Sequence, residues 1–482
     1  MDETLNSRSI NNIPSGRLPF STKLAYASGG GGEALPFNLF AIYFIFVLTD
    51  VIGFSPMWAG IISSVGLVWD AVAQPLIGYL SDRNTSKMGR RRSFMAVGFV
   101  PLSVCIFLLF LPNGLTGTLQ VAYYFIIVLA LYFFETMYVI PYYSLCPELT
   151  TDYAERNNIR TFSMWINYGL LIVGTSGPMY ILSRTLDGGG TEKQAWGNTG
   201  AVFGALTILV CGICLYTTRG KGVVITKDEL ANTNRPNFFK TIAQLFKLKV
   251  YRMIIFMTIS WSINVSLFLG MVTFLLTYVT KAGPGLQSLW WILYSVFAMI
   301  TLPIVAKLAG KYGKKEVLTV ILILLILNAV IFSFIGMDSY IAAVVWTFMS
   351  ACGISTFFTY CISIAFEVAE IHEFNQGERA EGQLLSMVNF SRKCGAAIGT
   401  FIIGAWLTYI NYDANLAEQT LETQRGLVQG LTLVPIIFFG LALLFLFLNP
   451  LKKAAYELLL AALIKKRAGE TVSADGFEKI IK

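Results

Sequence analysis

The run Ser63-Ser-Val-Gly-Leu-Val-Trp69-Asp70-Ala-Val-Ala-Gln74-Pro75-Leu-Ile-Gly78-Tyr-Leu-Ser81-Asp82-Arg83-Asn-Thr-Ser-Lys87-Met-Gly89-Arg90-Arg91-Arg92 decides how the rest of the chain is read. It is an apolar helix with one acid inside it, a second acid where the apolar stretch ends, and a basic cluster directly after. Asp70 and Asp82 are separated by about 18 Å along a helix rising about 1.5 Å per residue, more than half of a hydrocarbon core about 30 Å thick. Asp70 is therefore expected near mid-membrane and Asp82 at the membrane edge. A carboxylate at that depth is costly unless it is paired, protonated or hydrated, so an intramembrane acid is read first as functional. The basic cluster cannot cross, and it assigns that end to the cytoplasm.

Composition carries the same reading across the chain. With 482 residues, 55% of them hydrophobic and only 13% charged, there is too little polar surface for a soluble globule, and a polytopic membrane protein is implied. The net charge of +8 is topological, not a nucleic-acid footprint. About thirty of the 36 Lys and Arg residues fall on one side of the inferred topology, and only Arg184, Lys193, Lys281 and Arg425 lie in loops on the other. The seven cysteines all fall in apolar or membrane-edge segments, against a disulfide framework. Cys211-x-x-Cys214 has metal or redox spacing but sits in an apolar helix, where packing is its expected role. The single histidine, His372, leaves no His-based metal or nucleophile site. Residues 1–20 are polar with no apolar signal region, so the N-terminus is expected to stay in the cytoplasm.

Runs long enough to span a bilayer are expected at about 31–52, 57–81, 93–112, 119–146, 157–183, 197–218, 251–280, 287–310, 316–336, 339–368, 384–410 and 427–449. These twelve spans put both termini on the same, cytoplasmic side. They divide the chain into an N-terminal segment (1–24), a six-helix bundle (25–218), a basic linker (219–250), a second six-helix bundle (251–450) and a tail (451–482). The tail pattern, Lys452-Lys453, a Leu-rich stretch and Lys465-Lys466-Arg467, suits an amphipathic helix on the anionic inner surface, the alternative being an untidy end to the last span. The halves echo each other. Pro75 to Gly89-Arg-Arg has a counterpart in Pro303 to Gly313-Lys-Lys, and Glu155-Arg156 with Ser163-Met-Trp-Ile-Asn167 has one in Glu378-Arg379 with Ser386-Met-Val-Asn389. Two bundles related by duplication around a central cavity imply rocking of one against the other.

Gly78-Tyr-Leu-Ser-Asp82-Arg83 with Gly89-Arg90-Arg91-Arg92 resembles the signature between helices two and three of the major facilitator superfamily. Within it, Thr49-Asp50-Val-Ile-Gly53, Trp69-Asp70-Ala71 with Pro75, and Ile140-Pro141-Tyr-Tyr-Ser144-Leu-Cys-Pro147 resemble the glycoside–pentoside–hexuronide:cation symporters. The run Ser81 to Arg92 also resembles the more distant plant sucrose–proton symporters. The resemblance implies an all-α fold of two six-helix bundles and the import of a glycoside or hexuronide-type sugar with a cation by alternating access. No cofactor, metal centre or enzymatic step is implied. The sodium-using members carry two acids one turn apart on the second helix; this chain has Asp70 but Gln74 at the second position. Their fourth-helix acid corresponds to Val139, and their first-helix sugar-binding acid to Ala34 beside Glu33. Sodium prefers several oxygens with anionic charge, so the loss favours a proton as coupling ion, with sodium the alternative.

The expected coupling acids are Asp70, Glu135 and Glu33. Four glycines before Glu33, Gly29 to Gly32, suggest a thin or mobile helix start near the cavity. Lys393 falls where family members carry a helix-eleven lysine. Arg160 shares a face with Asn167 at helical spacing, and Asn389 stands one turn before Lys393. Either cation could hold a sugar acid by charge-assisted hydrogen bonds or pair internally with Asp70. Gln74, Tyr142, Trp165 and Trp346 complete the expected solute-binding set, the aromatics being equally suited to packing. Asp82, Arg83, Arg90, Glu148, Glu155, Arg156, Glu378 and Arg379 crowd equivalent cytoplasmic loops, as an ion-pair gate or a solvated rim. The partners expected are a sugar or sugar acid and the bilayer of a bacterial inner membrane, with the monomer as the working unit and no nucleic acid. The alternatives are a carrier of a lysolipid-like solute and, from another class, a receptor or membrane enzyme. Neither a soluble domain nor a convergent nucleophile, base or metal set supports the latter.

Overall fold

The computed structural model describes residues 17–150, 152–221, 244–377, 381–467, 470, 472–473 and 476–481. The chain divides into two compact units, Met1–Asn234 with Ala282–Ile292, and Arg235–Lys281 with Leu293–Lys482. The first contains α1 (Phe20–Ser28), α2 (Gly31–Phe46), α3 (Pro56–Asp82), α4 (Arg90–Phe110), α5 (Gly117–Leu149), α6 (Tyr153–Asp187) and α7 (Glu192–Thr217). After them come α8 (Lys249–Phe274), α9 (Pro284–Tyr312), α10 (Lys314–Ile335), α11 (Tyr340–Gln376), α12 (Glu381–Tyr409), α13 (Leu421–Leu448), α14 (Lys453–Arg467) and a short α15 (Glu478–Ile481).

Among the described residues, 10 helices are long and apolar enough to cross a membrane. Helices α6 and α12 stand where the fifth and eleventh spans are expected and run for 35 and 29 residues. They fall outside that group because polar residues such as Asn167, Asn389, Arg392 and Lys393 interrupt their apolar runs. The first span starts earlier than its hydropathy suggests. Thr22, Ala25, Tyr26 and Ala27 of α1 are already buried, and the helix continues past Gly29 and Gly30 as one apolar stretch, Phe20–Val51.

The glycines at that point serve packing. A Cβ on Gly29 would stand 2.6 Å from Cys214 Sγ, and one on Gly32 would stand 2.4 Å from the Tyr138 ring. The expected thin helix start is thus a tight seam in which α1 and α2 press on α5 and α7. The Cys211/Cys214 pair is buried there as free thiols. The second unit has a similar seam, where Cβ atoms on Gly395 and Gly399 of α12 would stand 2.6 Å from Ile259 O and 2.7 Å from Ser266 Cβ on α8. In lipid, where apolar contact alone does not drive helices together, small residues of this kind permit the close approach that does.

Two further features repeat between the units. Helix α2 runs into a five-residue π-helical turn at Val47–Val51, and α8 runs into another at Leu275–Val279. Gly89 caps α4 with φ 97° and ψ 142°, and Gly313 caps α10 with φ 105° and ψ 151°. Only glycine adopts that backbone readily. Each is followed by a basic residue bound to an acid, Arg90 to Glu148 at 2.6 Å and Lys314 to Glu367 at 2.6 Å. The Gly-Arg-Arg and Gly-Lys-Lys echo in the sequence is therefore the same turn built twice.

The tail departs from expectation. Leu459, Ala462 and Leu463 of α14 are buried by protein. Arg467 binds Glu373 of α11 through Nε at 2.8 Å and Nη2 at 2.6 Å, Lys466 Nζ donates to Phe374 O at 2.6 Å, and the Tyr456 hydroxyl donates to Glu370. Phe477 and Ile480 are buried beyond it, and Asn375 Nδ2 donates to Ile481 O at 2.8 Å. Arg467, expected to meet anionic lipid, is bound instead to Glu373 at the end of α11, and Lys466 to a backbone carbonyl there. The linker segment 222–243 lies outside the described residues.

Candidate functional site

The three expected coupling acids all belong to the first unit, on α2, α3 and α5. Asp70 of α3 is 1% exposed and Glu135 of α5 is 5% exposed. Thr136 Oγ1 donates to Asp70 Oδ1 at 2.6 Å, tying α3 to α5, and Gln74 Nε2 lies 3.4 Å from the same oxygen. Gln74 therefore stands where a second acid would sit and donates toward the first. Sequence reasoning missed Thr136, because nothing in an apolar run marks which threonine faces a neighbouring helix.

Glu135 is placed differently. Among the described residues it makes no hydrogen bond or ion pair, and the charge that acts on it is the Glu33 carboxylate of α2. Glu33 accepts a hydrogen bond from the Tyr143 hydroxyl. A carboxylate buried without a partner is expensive as an anion, and two acids facing each other in a low dielectric resist both being charged.

The aromatic residues sort by burial. Tyr142, expected to face solute, is 2% exposed and stacks between Tyr26 and Tyr138 with ring centroids at 4.8 and 6.0 Å. It belongs to the packed core of the first unit. Its neighbour Tyr143, one position along α5 and 52% exposed, holds Glu33 instead. A one-residue step turns about 100° on a helix, enough to exchange core for open surface. Trp165 is exposed on α6, and Asn167 lies against Gly30, its amide oxygen 3.0 Å from where a Cβ would stand. Trp346 is buried in the second unit, packed on Phe268 at 5.3 Å. With Asn264 and Asn328 it lines a cavity of about 30 Å³, room for water but not for a sugar ring to stack on it. Asn389 and Lys393 are half-buried on α12.

The charged loops form clamps inside each unit. Arg91 binds Asp82 and approaches Glu148 at 3.7 Å, while Arg90 holds Glu148 at 2.6 Å. Glu155 is bound by Lys23 at 2.8 Å and by the Leu18 N–H at 2.8 Å, and the Lys23 ammonium in particular holds its carboxyl below the usual carboxylate range. The Arg83 guanidinium lies 4.2 Å over the Tyr79 ring. The side chains of Arg156 and Arg160, and residues Glu378 and Arg379, lie outside the described residues.

Comparisons with known proteins agree with this architecture. Residues 25–453 match the family described as MFS/sugar transport protein. The chain is 27% identical over 433 residues to the uncharacterized symporter YnaJ of Bacillus subtilis, covering 89% of this chain and 91% of that one. It is 24% identical over 448 residues to a glucuronide carrier protein homolog of Escherichia coli, covering 92% and 94%. Among solved structures, a bacterial homolog of the human lysosomal transporter Spinster superposes with a TM-score of 0.68 at 13% identity, over 92% of this chain and 99% of that one. At that identity the likeness is one of fold.

Proposed function

The chain belongs to the MFS/sugar transport family, in its glycoside–pentoside–hexuronide:cation symporter branch, and from that premise we propose that it imports a hexuronide-type sugar together with a proton. It is a multi-pass membrane transporter and not an enzyme, and its solute class is sugars and glycosides. The observation that carries the proton reading is Glu135, buried and, among the described residues, without a hydrogen bond or ion pair, with the Glu33 charge acting on it. A sodium site needs several oxygens converging on one point, whereas a proton needs one carboxyl whose environment changes as the cavity opens and closes. Glu135 and Asp70 load the proton. Glu33 and Tyr143 answer to the hydroxyls of the solute, so that binding of one alters the charge balance of the other.

The sugar-acid reading rests on the residue types Arg160 and Lys393, cations that can meet a carboxylate by charge-assisted hydrogen bonds. In the same reading the basic ends of the helices face the cytoplasm of a bacterial cell, with both termini there. The clamps Arg90–Glu148 and Lys314–Glu367 keep each bundle rigid while it rocks, and Arg156, Glu378 and Arg379 complete the inner gate.

The experiment is uptake into liposomes containing the purified protein, with a proton or a sodium gradient imposed separately, comparing a glucuronide with its uncharged glucoside. Glucuronide uptake driven by the proton gradient alone is expected. Uptake driven only by sodium would replace the proton with another ion and another site, and equal uptake of both sugars would remove the sugar-acid assignment.

A further inference from the structure

Where α9 gives way to α10, and where the chain leaves α13 for α14, the second unit surrounds a cavity of about 280 Å³. That is close to the lower end of small-molecule sites, about 300 Å³. Its walls carry Lys314, Lys315, Lys452 and Lys453 against two carboxylates, Glu367 and Glu457. Two of the lysines are already spent. Lys314 is paired with Glu367 at 2.6 Å. Lys453 donates to Gly310 O at 2.8 Å and to Lys311 O at 3.3 Å, with Glu457 at 4.0 Å.

The other two are not neutralised. Lys315 is half-buried and donates to the carbonyls of Asn449 and of Phe447, the latter at 3.3 Å. Among the described residues it makes no ion pair, although the exposed Glu316 lies within electrostatic reach. Lys452 is exposed and, among the described residues, has no hydrogen bond or ion pair; its charge acts repulsively on Lys315. Two ammonium groups held at one cavity against their repulsion are relieved by an anion between them. Leu446 and Leu460 continue the wall with apolar surface, which suits an anion carrying a hydrocarbon part. The cavity stands at the basic end of α10 and α13, the level at which an inner leaflet presents anionic headgroups.

We propose that this cavity binds a phosphate-type anion, the headgroup of an anionic phospholipid or a soluble phosphate ester, held by Lys315 and Lys452. The site requires neither the sugar nor the proton assignment. The docked tail forms one of its walls, so an occupied site also fastens α14 to the body of the second unit.

The test follows thermal unfolding of the full-length protein in detergent as phosphatidylglycerol, phosphatidylcholine, inorganic phosphate or glycerol 3-phosphate is titrated in. A saturable rise in the midpoint with phosphatidylglycerol but not phosphatidylcholine is expected. At about 1 kcal/mol per lysine, Lys452→Gln should weaken the apparent affinity about fivefold, and the pair Lys315→Gln with Lys452→Gln roughly thirtyfold. The single variant changes only an exposed side chain, so it folds even if the loss of Lys315 loosens the end of α13. A lysine-dependent rise with inorganic phosphate or glycerol 3-phosphate would make the natural occupant a soluble ester; a rise confined to phosphatidylglycerol would make it a lipid. The proposal is overturned if no probe gives a saturable rise, or if Lys452→Gln responds as the wild type does.

Discussion

The two units share a frame and differ in what the frame holds. Each begins with a helix ending in a π-helical turn, each turns through a positive-φ glycine into a basic helix start, and each clamps that start to an acid at 2.6 Å. Inside the frame the likeness stops. The first unit buries Asp70 and Glu135 among its helices, while the corresponding interior of the second is lined by Trp261, Asn264, Asn328 and Trp346 around a water-sized cavity. What turns and fastens the helices is common to both units, and the buried acids Asp70 and Glu135 stand in the first. In the function proposed above, coupling is assigned to the acids of the first unit and contact with the solute to Lys393 of the second.

The largest effect expected on the shared frame comes from its clamps. Glu148→Ala leaves Arg90 without its acid and takes a partner from Arg91, and should cost about 3–5 kcal/mol, the range for breaking a buried pair. Glu367→Ala removes one lysine partner at a more open site and should cost less. Unfolding of both variants in detergent measures the difference, and an equal loss would mean the two clamps are energetically the same.

Packing should follow. Gly399→Val places atoms against Ser266 and the Ile263 carbonyl, the latter 2.8 Å from the would-be Cβ, and should destabilise by about 1–3 kcal/mol through overpacking. Gly32→Ala should act in the same direction in the first unit, against Tyr138. A variant as stable as the wild type at either position would break the parallel between the seams.

A smaller, selective effect is expected at Lys393. Lys393→Gln should weaken half-saturation for a glucuronide about tenfold, the loss of one charge-assisted hydrogen bond, and leave a glucoside unchanged. Competition uptake assays separate the two. Equal weakening would return Lys393 to an internal ion pair.

The smallest effect is one of pH. Because Lys23 holds Glu155 below the usual carboxylate range in the folded protein, the pair contributes stability in full above the unfolded value, about 4.3. That contribution is lost as pH falls through the lower folded value. The gap in unfolding midpoint between wild type and Glu155→Gln should thus be constant from neutral pH to about 5 and close only in stronger acid.

Much of this was legible because it depends on local chemistry. Apolar length fixes a span, a basic run fixes its end, and Gly89 and Gly313 could be matched by the residues that follow them. What escaped depends on a partner helix. A helix that is apolar all round has no stripe to separate its protein face from its lipid face, so Tyr142 and Tyr143 could not be told apart, and Thr136 looked like any other residue of α5. The tail misled for a related reason. Arg467 suits anionic lipid and an acid of α11 equally well, and only the fold brings Glu373 within reach.

The most direct test of the central claim measures solute-driven proton entry into liposomes alongside solute exchange at equal concentrations on both sides, in wild type, Glu135→Gln and Asp70→Asn. Both variants should lose at least about tenfold of proton entry, since each removes a buried acid to which the proposal assigns ion loading, while exchange continues because it needs no net proton movement. Proton entry that survives both substitutions would place the coupling site outside the acids of the first unit.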